Sequence, residues 1–164
     1  MITSTKGLQF IKSYEKCSLV PYMDSAGVAT IGWGNTFYPN GEKVKITDSP
    51  ITQLYADKLF SVIIANFEND VNFLLGKVVV NQNQYDALIS FAYNVGSDID
   101  KDTIAEGLGD STLLKKVLKD PNDPTIKLEF AKWNKAGGKV LKGLTKRRAA
   151  EANIYSKGIY VNHI

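Results

Sequence analysis

The hydrophobic positions first repeat at helical intervals between Thr3 and Ser13, where Leu8 and Ile11 mark an apolar side. Either Thr3 or Ser4 can cap this helix, because a hydroxyl oxygen accepts a hydrogen bond from the first turn. The helical period returns after residue 50. It predicts a helix of about six turns capped by Thr52, a buried helix between Asn81 and Gly96, and shorter helices over Ser111–Lys119, Asp123–Trp133 and Leu144–Tyr155.

Between the first two helices the apolar residues fall into short runs separated by turn residues, a pattern typical of strands. The runs are Leu19–Asp24, Val28–Trp33 and Lys43–Ile46, with turns at Ser25-Ala26-Gly27 and Pro39-Asn40-Gly41. We therefore predict a small antiparallel sheet of three strands.

The order of helix, small sheet and further helices predicts an α+β fold with segregated elements. The sheet lobe, about residues 15–50, is too small for a core of its own. We expect it to pack on a larger helical lobe, residues 1–14 and about 51–164, within a single domain. A ligand would then bind in the crevice between the two lobes.

Cysteine and histidine are too scarce for several kinds of site. Cys17 is the only cysteine, so no intramolecular disulfide can form, and His163 is the only histidine. A zinc site of the histidine and cysteine type is therefore not expected. The sequence also lacks the glycine-rich phosphate loops of nucleotide-binding proteins, and we expect neither a metal nor another cofactor.

The apolar runs are short. They fall well below the ~20 residues of a membrane span, and the N-terminus lacks the charged start and apolar stretch of a secretory signal. We expect a chain without an integral membrane segment that stays in the cytoplasm where it is made until something releases it.

Charge is divided unevenly along the chain. Residues 1–110 carry 8 basic and 13 acidic residues, whereas residues 111–164 carry 12 basic and 4 acidic residues. A basic half indicates an anionic partner, which could be a nucleic acid, a membrane surface or a cell-wall polymer. A solvated basic helix face explains the same pattern.

Two carboxyl groups in contrasting settings are the candidate chemistry. Glu15 lies where the first helix gives way to the sheet, at the edge of apolar packing that favours a protonated carboxyl. Asp24 lies at a strand end beside a turn, a solvated setting in which a carboxylate stays ionised. Thr30 lies in the returning strand, so hairpin geometry brings its hydroxyl near Asp24. Such a pair suits glycosidic bond cleavage, although each residue alone also has an ordinary structural explanation.

The run over residues 15–34, EKCSLVPYMDSAGVATIGWG, resembles the signature of phage-type lysozymes, the endolysins of glycoside hydrolase family 24. The family spacing of Glu, eight residues, Asp, five residues and Thr is present in full. The resemblance continues in the same order through SFAYNVG (90–96), STLL (111–114), and the segment from Trp133 to Glu151. It therefore spans most of the chain.

The resemblance implies a lysozyme-like fold and a muramidase that hydrolyses the β-1,4 bond between N-acetylmuramic acid and N-acetylglucosamine in peptidoglycan. It implies that Glu15 is the general acid, with Asp24 and Thr30 completing a catalytic triad. By position, Tyr93, Asn94 and Ser111 would line the glycan cleft, although core packing for Tyr93 and helix capping for Ser111 are alternatives. Either Arg147 or Arg148 would approach Glu15 and orient its carboxyl. Because Thr30 can help Asp24 to hold a water, we expect inversion at the anomeric carbon.

The sequence departs from the family pattern at Asn35, where these enzymes often have His, and in the long acidic connection of residues 97–110. Two other functions stay open. A lytic transglycosylase would cut the same bond without water, and a binding module without activity would use the basic half, with Trp133 either stacking on a base or sugar or packing in the core. We expect peptidoglycan and no nucleic acid as partner, a monomer, and a need for a holin if a phage encodes the chain.

Overall fold

The computed structural model describes residues 1–100 and 102–162. Its elements follow the predicted order of helix, sheet and helices, and the α+β class is confirmed. In chain order they are α1 (Thr5–Tyr14), β1 (Ser18–Met23), β2 (Ala29–Gly32), α2 (Gln53–Leu75), α3 (Gln82–Val95), α4 (Thr112–Lys119), α5 (Ile126–Ala131), β3 (Lys135–Ala136), β4 (Lys139–Val140) and α6 (Lys142–Lys157). The chain forms two compact units, Lys12–Asn66 and Met1–Ile11 with Phe67–Ile164.

The sheet of the unit Lys12–Asn66 has two strands, so the prediction of three was wrong. β1 and β2 pair antiparallel, with Tyr22 opposite Thr30. The segment predicted as a third strand forms only an isolated bridge, between Phe37 and Lys43. Only Val44 of residues 43–46 is buried, so this segment lacks the alternation of buried and exposed residues that stabilises a full strand.

The core of this unit joins the hairpin to α2. Ile31 from β2, Val44 and Leu59 from α2 are buried together, with Ala29, Tyr38 and Ile51 packed around them. Asn35 is also buried, and its amide donates a hydrogen bond of 3.2 Å to the Leu59 carbonyl. The core thus depends on a helical residue, as expected for a sheet too small to bury its own side chains.

The unit formed by Met1–Ile11 and Phe67–Ile164 is mainly helical. α3 begins with the predicted capping box, in which the Asn81 side chain accepts from Gln84 N–H and the Gln84 side chain accepts from Asn81 N–H. α3 packs against α6, and α5 packs against both α4 and α6. The Phe91 ring meets Phe130 and Trp133 edge-on, with centroids 5.6 Å and 5.4 Å away. Trp133 therefore packs against a core residue, which agrees with the core-packing alternative for this side chain.

Other elements differ from the prediction in their details. Residues 135–140 form a short hairpin, β3 and β4, with left-handed Gly137 and Gly138 at its turn, between the predicted helices Asp123–Trp133 and Leu144–Tyr155. α5 begins at Ile126, because Asp123 and Thr125 form a hydrogen-bonded turn before it. None of the helices in the described part of the chain has the length and apolarity needed to cross a bilayer. His163 lies outside the described residues.

Candidate active site

Glu15 directly follows α1, as predicted. Ser4 caps the start of this helix, since its hydroxyl accepts a hydrogen bond of 3.1 Å from Gly7 N–H. The helix ends at Tyr14, and Glu15 N–H donates to the Lys12 carbonyl at 3.2 Å in a final tight turn. The Glu15 side chain is half-buried. The end of α1 therefore fixes the backbone that carries this carboxyl.

Asp24 is part of the turn that connects β1 to β2. One carboxylate oxygen, Oδ1, accepts hydrogen bonds from Ala26 N–H at 2.9 Å and Val28 N–H at 2.8 Å. The Asp24 backbone also pairs with Val28 and Gly27. Asp24 thus acts as the turn residue that the sequence suggested, and the same contacts fix its carboxylate relative to the hairpin.

Thr30 is buried, with 3% of its surface exposed, and lies opposite Tyr22 in the hairpin. Its hydroxyl donates to the Val28 carbonyl at 2.9 Å, and Val28 also binds the Asp24 carboxylate. Residues opposite each other share a face of an antiparallel pair, and so do residues two apart along one strand. The register therefore puts Thr30 and Tyr22 on one face, and Asp24 follows directly after β1.

Tyr22 connects the three predicted residues, and the sequence did not single it out. Burial raises the pKa of its phenol, and the negative charges of Asp24 and then Glu15 raise it further. The phenol therefore lies within electrostatic reach of both carboxylates. The signal was available, because Tyr22 precedes Asp24 by two residues and so shares its side of the strand. The negative charges of Asp24 and Glu15 thus both reach Tyr22, the residue that lies opposite Thr30.

The two predicted arginines of α6 both bind Glu151. Arg148 Nε lies 2.8 Å from Glu151 Oε2, and Arg147 Nε lies 3.2 Å from Oε1. The Ser90 hydroxyl donates to Glu151 Oε1 at 2.7 Å. All four side chains are buried. Glu151 therefore compensates two buried cations, and the spacing of three and four residues on one helix could have predicted these pairs.

The residues expected to line the glycan site differ in exposure. The exposed Asn94 accepts a hydrogen bond of 2.9 Å from Arg148 through its Oδ1. The half-buried Tyr93 ring packs 5.4 Å from the Phe67 ring. Ser111 is fully buried, and its hydroxyl donates to the Leu108 carbonyl at 2.6 Å and accepts from Leu114 N–H at 3.0 Å. The capping alternative accounts for the hydrogen bond from Leu114, and the bond to Leu108 holds the hydroxyl on the chain before the helix.

Comparison with protein families gives a match over most of the chain. Residues 12–151, which include Glu15, Asp24 and Thr30, match the phage lysozyme family.

The chain belongs to the phage lysozyme family.

Relatives and solved structures extend the match over nearly the whole chain. The endolysin of Bacillus phage PZA is 36% identical over 96% of this chain, which spans only 56% of that longer relative. The SAR-endolysin of Haemophilus phage HP1 is 33% identical over 90% of this chain and 77% of its own length. The solved endolysin of Escherichia coli O157:H7 phage FAHEc1 has 35% identity and a TM-score of 0.82, covering 98% of this chain and 97% of that one. The lysozyme-like fold is confirmed.

One acidic cluster lies in the connection between α3 and α4. Asp98, Asp100 and Asp110 have carboxylate oxygens within 4.8 Å of one another. The Asp98 carboxylate accepts hydrogen bonds from the backbone of Glu106 at 3.0 Å and Gly107 at 3.1 Å. The aspartate therefore organises the loop itself, and the long acidic connection that distinguishes this sequence is stabilised by its own carboxylate.

Proposed function

We propose that this phage lysozyme is a muramidase, which hydrolyses the β-1,4 bond between N-acetylmuramic acid and N-acetylglucosamine in bacterial peptidoglycan and so causes cell lysis. One observation carries the proposal: in a member of this family, Glu15 directly follows α1, and Asp24 and Thr30 both lie on the β1–β2 hairpin that comes next in the chain. Two carboxyl groups on one site are the machinery that glycoside hydrolysis uses.

Glu15 is proposed as the general acid. It gives its proton to the glycosidic oxygen as the bond from that oxygen to the anomeric carbon breaks, which creates the free 4-hydroxyl of N-acetylglucosamine. The fixed backbone at the end of α1 supports this role, because an acid contributes only when it is held within hydrogen-bond reach of the leaving oxygen.

Asp24 is proposed as the base that directs a water molecule. Among the described residues only its Oδ1 is engaged by the protein, so Oδ2 can accept a proton from water as the water oxygen bonds to the anomeric carbon. The Thr30 hydroxyl donates to Val28, and its oxygen keeps a lone pair that can accept from the same water. The cleavage leaves a reducing N-acetylmuramic acid end, with Asp24 protonated and Glu15 ionised. Proton exchange with solvent then restores both groups for the next cycle.

This arrangement predicts inversion. A water held between the carboxyl groups requires them to stand about 6.5 to 9.5 Å apart, whereas direct attack by Asp24 requires about 5 to 5.5 Å. Proton NMR of the first-formed product distinguishes the two, since inversion of a β-linked glycan gives the α-anomer. An initial β-anomer would reject the water mechanism while leaving the muramidase in place.

The same proposal includes residues outside the hairpin. Tyr93 and Asn94 would contact the glycan, and Ser111 would contribute by fixing the start of α4. Arg147 or Arg148 would orient the acid, so replacing each by Ala should change the rate or the pH optimum. We further propose that the protein is a monomer, and that a holin allows it to pass from the host cytoplasm to the cell wall.

The experiment compares reducing ends released from purified peptidoglycan by the natural chain, Glu15→Gln and Glu42→Gln. Glu42 is an exposed glutamate of the same unit, so its substitution controls for the loss of one charge. We expect Glu15→Gln to lose about 10² to 10⁴-fold in rate and Glu42→Gln to lose less than twofold. Full activity of Glu15→Gln would reject the proposed acid, and lysis by an inactive variant would favour the binding module.

A further inference from the structure

A group of polar and aromatic side chains joins the end of α1 to α2. We call it the Asp57 clamp, and its members are Lys12 from α1, Trp33 from the segment after β2, and Gln53, Asp57 and Phe60 from α2. All five belong to the unit Lys12–Asn66. None of them is among the residues to which the family resemblance gives a role.

The centre of the clamp is one oxygen atom of Asp57. Its Oδ1 accepts from Lys12 Nζ at 2.8 Å, Trp33 Nε1 at 3.1 Å and Gln53 Nε2 at 3.3 Å. The hydrogen bond from Lys12 is the main reason that the pKa of Asp57 lies below its ordinary value, with Trp33 and Gln53 adding to it against the opposing effect of burial. The carboxylate is therefore ionised at neutral pH.

Lys12 is held from two further sides. Its ammonium lies 4.9 Å from the centre of the Trp33 ring and 4.7 Å from the centre of the Phe60 ring, both within the range of a cation–π interaction. The two rings also contact each other, at 5.8 Å and an angle of 55°. The long lysine side chain thus has one defined position.

The clamp holds the chain on both sides of Glu15. The backbone carbonyl of Lys12 accepts a hydrogen bond from Glu15 N–H. On the other side, Gln53 Nε2 donates to Cys17 Sγ at 3.7 Å. Trp33 follows Thr30 by three residues, so the strand that carries Thr30 is tied to the same carboxylate. The side chains of α2 therefore fix the segments of two proposed catalytic residues relative to each other.

We propose that Asp57 is a positioning residue for the hydrolysis, acting through Lys12 and Trp33 on the placement of Glu15 and Thr30. This inference rests on the proposed function. Asp57 does not touch the substrate in this account, and its effect is on how often the acid occupies its reactive position.

A positioning role and a purely stabilising role predict effects of different size on the catalytic rate and on folding stability. The side chains of Lys12 and Asp57 are 30% and 42% exposed, and ion pairs this exposed contribute little to folding stability. A catalytic group displaced by about 1 Å, in contrast, can lose on the order of 100-fold in rate. Loss of the clamp should therefore reduce turnover much more than it reduces stability.

The test measures kcat and KM on soluble, uncrosslinked glycan strands for Asp57→Asn, Lys12→Met, Lys12→Arg and the double variant Lys12→Met with Asp57→Asn. We expect kcat to fall about tenfold or more in Asp57→Asn and in Lys12→Met, while KM stays within about twofold of the natural value. Lys12→Arg keeps the positive charge and should retain most of kcat. The double variant should be no worse than the poorer single variant, because both break one unit.

The matched control is Glu129→Gln, which removes the carboxylate of a lysine-bonded ion pair in the other unit. It should lose stability while keeping kcat within about twofold. A kcat for Asp57→Asn equal to that of the control would overturn the inference, and so would additive losses in the double variant. If Asp57→Asn does not fold, Lys12→Met and Lys12→Arg decide instead. A kcat for Lys12→Met equal to that of Glu129→Gln would then overturn the inference. Activity of Glu15→Gln would instead reject the proposed function itself.

Discussion

The carboxylate of Asp24 accepts a hydrogen bond of 2.8 Å from the backbone N–H of Val28, across the turn of the hairpin. The same residue is proposed to direct the attacking water, so it has a structural and a chemical role. The two roles can be separated because an amide oxygen accepts hydrogen bonds as a carboxylate does but is a much poorer base.

We predict that Asp24→Asn keeps the hairpin and loses the reaction. Its free energy of unfolding in urea should stay within about 1 kcal/mol of the natural value, while kcat falls about 10² to 10⁴-fold. Asp24→Ala should lose both, because the N–H groups of Ala26 and Val28 then have no side-chain acceptor. Normal turnover by Asp24→Asn would contradict the proposed base.

Glu151 is predicted to be essential for stability. Its carboxylate binds Arg147, Arg148 and the Ser90 hydroxyl, and it is fully buried. Glu151→Gln removes the carboxylate charge that both buried guanidinium groups bind, which should cost about 3 to 5 kcal/mol in urea unfolding. The control is Lys146→Gln, an exposed position on the same helix, which should cost less than about 0.5 kcal/mol. Equal stability of the two variants would show that the buried pairs are dispensable.

Glu129 should make stability depend on acid pH. Hydrogen bonds from Lys116 and then Lys132 hold the pKa of this carboxyl below its ordinary value, although burial opposes them. The pKa of Glu129 is thus lower in the folded chain than in the unfolded chain. Its stabilising effect is therefore complete above the ordinary pKa of about 4.3 and is lost as the pH falls through the lower pKa of the folded chain. Melting temperatures across that window should fall less for Glu129→Gln than for the natural chain. Parallel curves would contradict this pKa shift.

Salt should weaken lysis if the basic half attracts the anionic wall. Lys135, Lys139 and Lys142 are exposed in and beside the β3–β4 hairpin. Raising the ionic strength past ~0.15 M shortens the Debye length below about 8 Å and screens such charges. Replacing all three by Glu should flatten the dependence of lysis rate on salt. An unchanged salt response would mean that these lysines only solvate the surface.

Local hydrogen-bond chemistry made much of the fold predictable. The caps at Ser4, Thr52 and Ser111 and the capping box of Asn81 with Gln84 each involve residues within a few positions of one another. A cap is therefore readable from sequence, because its partners are fixed by the first turn of a helix.

Elements that depend on tertiary contacts were not predictable in the same way. The strands β3 and β4 have two residues each, too few to show an alternating pattern. Lys12 and Asp57 lie 45 residues apart, and nothing local indicates that one carboxylate collects Lys12, Trp33 and Gln53. The candidate site shows the same division. The spacing of Glu, Asp and Thr pointed to Glu15, Asp24 and Thr30 as candidates, whereas the pairing of Tyr22 with Thr30 required the hairpin register.

The most direct test of the central claim is the fate of water in the cleavage of purified peptidoglycan. The reaction is run in water enriched in oxygen-18, and the released fragments are weighed by mass spectrometry. A hydrolysing muramidase in which Glu15 protonates the leaving oxygen should place one heavy oxygen on the reducing N-acetylmuramic acid and none on N-acetylglucosamine. Unlabelled anhydro products would instead identify a transglycosylase, and a label on the reducing end of N-acetylglucosamine would show that a different bond is cut.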